Sequence, residues 1–278
     1  MSSCAAMAGS GERSCRQAAL RAGSMSASAA TPTATIIADD AEQLAERYAE
    51  WLIARLALHA GGFRIALCGG STPQPLYRLL GSGRYDDRID WSRFEVFWGD
   101  ERFVPPDAPD SNFAEANALW LSHVPIPAKQ IHPMPTQGPI EACAQAYEAL
   151  LMAQYGSASF APDKALFDLV LLGVGDNGHT ASLMPGSAVL EERARWVAPV
   201  RPGSPQLRLT LTYPALASAQ AVSFVASGPA KQCIVQKIRQ GDPSLPAARV
   251  RSDGELYWFL DRPCAGNTQP KRNNGRKN

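Results

Sequence analysis

Short apolar stretches, each bounded by glycine, proline or polar residues, recur along the chain and predict the strands of a buried sheet. Most are apolar without a break, a pattern typical of strands that are covered on both faces. In the stretch 207–211 polar residues instead alternate with leucines, so that Arg208 and Thr210 share one face. The strands predicted in this way are residues 63–68, 94–98, 167–172, 196–200, 207–211, 221–226 and 256–260.

Segments with helical spacing lie between these strands. In the first helix, apolar residues recur at three- and four-residue intervals from Leu44 to Leu56, with Asp39 or Asp40 as the N-cap. Another helix is expected to start at Ser111 or Asn112 with an Asn-x-x-Glu capping box, and a third spans 140–155. Strands that alternate with helices predict an α/β/α sandwich with a parallel or mostly parallel sheet.

The two ends of the chain differ in composition from its centre. Residues 1–34 are rich in Ala, Ser, Gly and Thr and lack the apolar centre of a secretory signal, so we predict a disordered tail. An over-long start, with Met25 as the alternative initiator, is a second interpretation, and Glu12 argues against a transit peptide. Residues 265–278 are polar and basic and predict a second disordered tail. A single domain, 35–264, is expected between them.

The overall composition excludes several classes of protein. The chain has 278 residues, of which 45% are hydrophobic and 19% charged, and its net charge of +1 gives no general attraction to nucleic acid or anionic membranes. No apolar run has the length of a membrane span. The six cysteines are scattered without a C-x-x-C pair, as expected for reduced thiols in the cytoplasm. Cysteine and histidine spacing gives no zinc motif, so no metal is expected.

Candidate chemistry is concentrated where strands end. Four junctions, at 69–73, 99–102, 173–179 and 227–231, carry hydroxyl groups, a carboxylate, a histidine and cationic side chains. The carboxyl ends of parallel strands meet at one edge of a sheet, where such folds bind ligands. Glycine-rich turns before a helix also expose amide groups that attract anions. Together these features predict a small phosphorylated substrate and acid–base chemistry that needs neither a metal nor a cofactor.

The junction at 173–179 also fits the dinucleotide motif G-x-G-x-x-G. A dinucleotide fold requires a full helix after that turn, whereas here a short helix, predicted over 180–184, is stopped by Pro185. The next predicted strand ends in Arg201 rather than in an acid that would bind a ribose. These departures argue against a nicotinamide or flavin cofactor. A tight turn with an incidental histidine remains the alternative, and the loop 69–73 lacks the spacing of an ATP-binding loop.

Five blocks in the chain resemble those of the 6-phosphogluconolactonases. They are CGGSTPQPLY, FWGDERFVPPDAPDSN, LLGVGDNGHTASLMPGS, RLTLTYPAL and SGPAK, and the resemblance covers about residues 36–262. It implies a Rossmann-like three-layer sandwich related to the glucosamine-6-phosphate deaminases. It also implies hydrolysis of 6-phospho-D-glucono-1,5-lactone to 6-phospho-D-gluconate, in the oxidative branch of the pentose phosphate pathway.

The resemblance assigns roles to particular residues. It implies that His179 is catalytic and that Asp100 lines the pocket beside it, while Asn177 stands where the family usually has Asp. Whether Asn177 or Asp176 orients the histidine is left open. The implied substrate- and phosphate-binding residues are Gly70, Ser71, Thr72, Arg102, Gly178, Arg208 and Lys231.

Two other functions are weighed against this one. The related deaminases usually read D-E-Y and D-G-H-I-A-F-N-E-P, but Arg102 replaces that Tyr, and Met184 stands in place of the acid. A non-catalytic sugar-phosphate-binding regulator would need a helix-turn-helix that 1–34 cannot supply. We therefore expect a cytoplasmic hydrolase of a phosphorylated sugar lactone, without nucleic acid or membrane partners, as a monomer or weak homodimer.

Overall fold

Nine strands form two sheets in the part of the chain that the computed structural model describes, residues 33–201 and 206–266. Six of them form a sheet in the order β1-β9-β8-β5-β2-β3, in which every neighbouring pair is parallel. The others form a small antiparallel sheet in the order β4-β7-β6. The strands are β1 (Ala34–Ala38), β2 (Phe63–Leu67), β3 (Phe94–Trp98), β4 (Asp100–Arg102), β5 (Leu169–Leu172), β6 (Val197–Val200), β7 (Arg208–Leu211), β8 (Ala221–Ala226) and β9 (Glu255–Asp261).

Seven α-helices accompany these strands in the described ranges. The central strands β5 and β8 are buried at every position, so other elements cover both faces of the large sheet. The predicted α/β sandwich with a mostly parallel sheet is thereby confirmed. The helices are α1 (Ala41–Leu58), α2 (Gln74–Leu80), α3 (Asn112–Leu119), α4 (Ile140–Tyr155), α5 (Tyr213–Ala217), α6 (Gln232–Arg239) and α7 (Arg262–Ala265). None of them has the length and apolar character that a membrane crossing requires.

The strand order explains where a ligand site forms. From β2 the chain adds β3 on one side, whereas β5, β8 and β9 are added on the other side. Neighbouring connections therefore leave in opposite directions between β2 and β5 and open a crevice beyond their carboxyl ends. Two of the predicted junctions, 69–73 and 173–179, follow these two strands. The topology alone thus places both glycine turns beside the crevice.

The sequence did not predict every element. β1 and β4 were missed, and β1 begins at Ala34, inside the segment expected to be a tail. The rest of that tail, 1–32, and most of 265–278 lie outside the described residues. The prediction of a short helix over 180–184 is wrong, because Thr180 pairs with Leu183 in a tight turn and Ala181 has a φ of 48°. Helical backbone is incompatible with that left-handed conformation.

The amino end of α3 differs from the expected capping box. Ser111 is the N-cap, and its hydroxyl accepts a hydrogen bond from the Ala114 N–H at 3.1 Å. The acid that takes up the other N–H groups is Glu101, from β4, whose carboxylate accepts from the amides of Asn112 and Phe113, each at 2.8 Å. A negative charge at a helix amino end is favourable. A buried carboxylate therefore fixes the small sheet to α3.

We expect Glu101→Ala to destabilise the fold strongly. The change removes the acceptor for the amides of Asn112 and Phe113, of which the first is buried and the second partly buried, and for the Arg102 N–H. Each buried donor left without a partner costs about 1–3 kcal/mol, so the free energy of unfolding should fall by about 3 kcal/mol or more. Urea denaturation measures the change. Glu46→Ala is the control, because Glu46 pairs with Arg84 on the surface. A loss equal to that of the control would contradict the capping role.

Candidate active site

A cavity of about 290 Å³ lies at the crevice beyond β2 and β5. All four junctions predicted from the sequence contribute to its wall, together with β7. The predicted residues that line it are Gly70, Ser71, Thr72, Asp100, Arg102, His179, Arg208 and Lys231. Asn177 and Gly178 are not part of the wall but belong to the turn that carries His179. The structure thus brings together residues as far apart in the chain as Gly70 and Lys231.

The side chain of Asn177 determines which nitrogen of His179 carries the proton. The Asn177 Oδ1 lies 2.6 Å from the His179 Nδ1 and also accepts a hydrogen bond from the backbone N–H of His179 at 3.2 Å. A backbone N–H only donates, so the shared atom is the amide oxygen, and Nδ1 must be the protonated nitrogen. The Nε2 of the neutral ring is then left as a proton acceptor.

The surroundings of His179 keep the ring neutral. Burial lowers the pKa of His179, and the charges of Arg208 and Lys231 lower it further, whereas the carboxylate of Asp100 opposes them. The ring lies directly on Gly175, where an added Cβ would come within 2.0 Å of the ring carbon Cε1. Glycine at this position is therefore required by the close approach of the imidazole rather than by the turn alone.

Asp100 is the buried acid of the cavity. Its side-chain Oδ2 accepts a hydrogen bond from the Ser182 hydroxyl at 2.6 Å and lies 3.8 Å from the Arg208 Nη1. Burial raises the pKa of Asp100, and the hydrogen bond from Ser182 acts against that rise. Ser182 was not predicted as a site residue. Its neighbours in the sequence gave no signal, because the turn that directs it inward was expected to be a helix.

Two arginines face the cavity from neighbouring strands. Antiparallel pairing of β4 with β7 places Arg102 directly opposite Arg208. Like charges in such a pair repel, so the arrangement favours an anion between or near them. The Arg208 Nε is buried and makes no hydrogen bond to any described residue, whereas the Arg102 Nη1 donates to the backbone oxygen of Asp110 at 2.8 Å.

Lys231 has a carboxylate partner within the protein. Its Nζ is 2.5 Å from the Oδ1 of Asp176, and Asp176 is well exposed at the edge of the cavity. This contact answers the question that the sequence left open, because Asp176 binds the lysine while Asn177 contacts the histidine. Lys231 precedes α6, where a cation is unfavourable unless an anion lies nearby. Asp176 is an anion of that kind.

In the loop at 69–73, one amide that was expected to bind an anion already has a partner within the protein. Gly70 has a φ of 96°, which favours glycine, but its N–H donates to the Oε2 of Glu115 at 3.0 Å. Glu115 also accepts from Gln74 and so fixes the start of α2. Within the described residues, no hydrogen bond involves the hydroxyl groups of Ser71 and Thr72, which remain on the cavity wall. Glu115 was predicted as a helix cap and not as a partner of this loop.

The glycine turn also uses its own amides. The Gly175 N–H donates to the backbone oxygen of His179, and the Gly178 N–H donates to that of Gly175, both at 2.9 Å. Gly178 has a φ of 79° and packs against Leu245. These glycines therefore shape the turn and are not open donors for a ligand. Across the described ranges, no three His, Cys, Asp or Glu side chains come together as the ligands of a metal ion would.

Comparison with known proteins places this arrangement. Residues 39–258 match the family model of glucosamine-6-phosphate isomerases and 6-phosphogluconolactonases. The chain belongs to this family. A 6-phosphogluconolactonase of Nostoc is 40% identical over 207 residues, with 72% of this chain and 82% of the relative covered. A Synechocystis 6-phosphogluconolactonase is also 40% identical, over 223 residues, with 78% and 90% covered.

The fold of the family is also found among solved structures. The 6-phosphogluconolactonase from Trypanosoma cruzi superposes with a TM-score of 0.75 at 29% identity, covering 86% of this chain and 97% of that protein. The parallel six-stranded sheet is therefore the family's architecture and not a peculiarity of this chain.

The contact between Gly175 and the imidazole can be tested by substitution. Gly175→Ala should force the His179 ring away from its buried position, because the new methyl group would overlap it. The pKa of His179 should then rise toward 6.5, since burial is the main cause of its depression. A pH titration followed by ¹⁵N-detected NMR of the ring measures this shift.

Gly173→Ala is the matched control, because nothing lies within 4 Å of an added Cβ there. We expect its His179 titration to match that of the wild-type protein. If the two variants titrate alike, the ring does not depend on Gly175.

Proposed function

We propose that this chain is a 6-phosphogluconolactonase, which hydrolyses 6-phospho-D-glucono-1,5-lactone to 6-phospho-D-gluconate in the pentose phosphate pathway. The observation that supports it best is a histidine whose Nδ1 is held by Asn177 and whose Nε2 has no hydrogen-bond partner among the described residues, in a cavity that also contains three cationic side chains. The histidine supplies a base and the cations supply a site for phosphate. The names of the family's relatives agree with this reaction.

In the proposed reaction His179 acts as the general base. Its Nε2 takes a proton from water while the water oxygen forms a bond to the lactone carbonyl carbon, and the resulting imidazolium returns that proton to the ring oxygen as its bond to carbon breaks. A δ-lactone is an activated ester, so modest catalysis suffices. The carboxylate of Asp100 balances the transient imidazolium, a role that the neutral amide of Asn177 cannot fill.

Arg102 is the proposed partner of the oxyanion. The amides of Gly175 and Gly178 are occupied within their own turn, which leaves a side-chain cation as the better donor. The Arg102 side chain is held by the carbonyl oxygen of Asp110 and needs little reorganisation when negative charge develops.

The remaining cations are assigned to the phosphate. Arg208 and Lys231 both line the cavity, and the buried Nε of Arg208 has no hydrogen-bond partner among the described residues. The hydroxyls of Ser71 and Thr72 add neutral donors. Gly70 and Gly178 serve through their backbone conformation, because their N–H groups are already used. Anchoring the phosphate holds the lactone in register with His179.

The proposed cellular setting is supported by the state of the cysteines. The cysteines at 68, 143, 233 and 264 are all unpaired, which suits a reducing compartment, and we propose the cytoplasm. A monomer or weak homodimer is the proposed assembly, since each chain carries a complete set of site residues. The hydrolysis itself requires no coenzyme.

A coupled assay tests the function and the phosphate site together. We expect the purified protein to hydrolyse freshly prepared 6-phosphogluconolactone above the spontaneous rate, with EDTA present, and not to deaminate glucosamine 6-phosphate. Arg208→Ala should reduce kcat/KM for the phosphorylated lactone by an amount equivalent to about 2–5 kcal/mol, because the phosphate loses a desolvated charge partner. Unphosphorylated gluconolactone should be affected much less.

Arg88→Ala provides the control for this comparison, because Arg88 pairs with Glu50 on the surface away from the cavity. Its kinetics should match those of the wild-type protein. Equal losses on both lactones in Arg208→Ala would show that Arg208 supports the fold or the chemistry instead. Inactivity restored only by a divalent ion would contradict the metal-free mechanism.

The role of His179 has a kinetic signature. His179→Ala should lower kcat by about 10²–10⁴-fold and leave substrate binding largely intact. Because the pKa of His179 is lowered in the folded protein, kcat/KM should stay high at neutral pH and fall only below about 6.5. Asn177→Asp adds a negative charge beside Nδ1, so it should move this limb to higher pH. A near-normal kcat in His179→Ala rules out the mechanism.

A further inference from the structure

Ser182 is a fully buried hydroxyl beside the proposed catalytic groups, with no role assigned so far. Its Oγ donates to the Asp100 Oδ2 at 2.6 Å, and its backbone N–H donates to the Thr210 hydroxyl at 3.2 Å. Thr210 is paired with Asp100 across the small sheet. Ser182 is thus hydrogen-bonded both to the Asp100 carboxylate and to β7, through Thr210.

The backbone of the turn pays for this orientation with strain. Ala181 is the one non-glycine residue with a positive φ in the described ranges. The Leu183 N–H donates to the backbone oxygen of Thr180 at 3.0 Å and closes the turn. The Thr180 hydroxyl donates to the backbone oxygen of Gly173 at 2.8 Å and holds the turn in place. Strain of this kind persists where surrounding contacts demand it, and it concentrates at functional sites. Its result here is that Ser182 faces Asp100.

Several charged groups face Asp100, but Ser182 differs from them in geometry. Arg208 approaches from β7 at 3.8 Å, beyond hydrogen-bond distance. Arg102 acts on Asp100 only through its charge, and His179 does so only when it is protonated. The neighbouring Glu101 carries a like charge, and the Cys68 thiol from the end of β2 stays neutral because burial raises its pKa. In the described structure, Ser182 is the side chain that donates a hydrogen bond to this carboxylate.

We propose that Ser182 is a positioning residue that keeps Asp100 ionised and fixes its carboxylate, so that Asp100 can balance the imidazolium of His179. The proposal rests on the lactonase mechanism given above. A hydrogen bond to the charged form of an acid favours that form, and burial of Asp100 otherwise favours the neutral acid. Without the hydroxyl, Asp100 would take up a proton at a higher pH and could no longer offset the charge on His179.

The first test is a comparison of pH profiles. In Ser182→Ala the titration midpoint of Asp100 should rise by about one unit, as expected for the loss of one hydrogen bond to a charged group. Asp100 then joins His179 in setting the acid limb of kcat, which should begin at a higher pH. Because the carboxylate is no longer held in place, kcat at neutral pH should also fall by about tenfold. KM should stay within about twofold, because the phosphate partners are untouched. Ser182→Thr keeps the hydroxyl and should restore most of the wild-type profile.

Ser223→Ala is the matched control for lost packing. Ser223 is also fully buried, and its hydroxyl is 2.6 Å from the Tyr48 hydroxyl in the large sheet. The melting temperature of the Ser223→Ala protein should fall as in Ser182→Ala, while its pH profile of kcat should stay that of the wild-type protein. If Ser182→Ala does not fold, Ser182→Cys, with a weaker donor, should give a smaller shift of the same sign.

The second test measures Asp100 directly and needs no substrate. Carboxyl ¹³C NMR of protein labelled at aspartate, with Asp100 assigned through Asp100→Asn, should show a higher titration midpoint in Ser182→Ala than in the wild-type protein. An unchanged midpoint overturns the proposal, as does a shifted midpoint with an unshifted pH profile. A wild-type protein without lactonase activity would overturn the proposed function, whereas the NMR midpoint would still decide whether Ser182 controls the charge of Asp100.

Discussion

The antiparallel pairing of β4 with β7 imposes the main electrostatic constraint on this molecule, because it holds Arg102 and Arg208 directly opposite each other. Two like charges on one face of a sheet repel unless negative charge lies close to them. Asp100 lies two residues before Arg102 on β4 and so belongs to the same face. The buried carboxylate makes the pair tolerable and leaves a net positive cavity. That excess charge favours an anion in the cavity, whereas burial is the main cause of the lowered pKa of His179.

Much of the fold was predictable because its strands are short, apolar and bounded by glycine. The strands that became β2, β3, β5, β8 and β9 were found from the sequence with errors of a few residues at their ends. The location of the site followed from the rule that parallel strands share a carboxyl edge. That rule requires no knowledge of side-chain contacts, and it explains why junctions far apart in the chain were expected together.

The elements that were missed depend on partners distant in the sequence. β4 is a strand only because β7 pairs with it. Its three residues are all charged, so no local hydrophobic pattern predicts a strand there. Glu115 looked like a helix cap from its spacing, but its carboxylate reaches the Gly70 amide. The turn around Ala181 was predicted as a helix because local helix propensity contains no information on the hydrogen bond from the Ser182 hydroxyl to Asp100. In each case a tertiary hydrogen bond overrides the local preference.

The contact between Lys231 and Asp176 gives the cavity an internal counter-ion at its edge. A phosphate that binds Lys231 has to displace the carboxylate of Asp176. Binding at this lysine is therefore an exchange of one anion for another. Such an exchange weakens the net attraction for any anion that meets this lysine alone, which is consistent with the proposal that the phosphate also binds Arg208. The product carries the same phosphate as the substrate. If Lys231 binds the phosphate as proposed, return of the Asp176 carboxylate to the lysine assists release of the product, just as it competes with binding of the substrate.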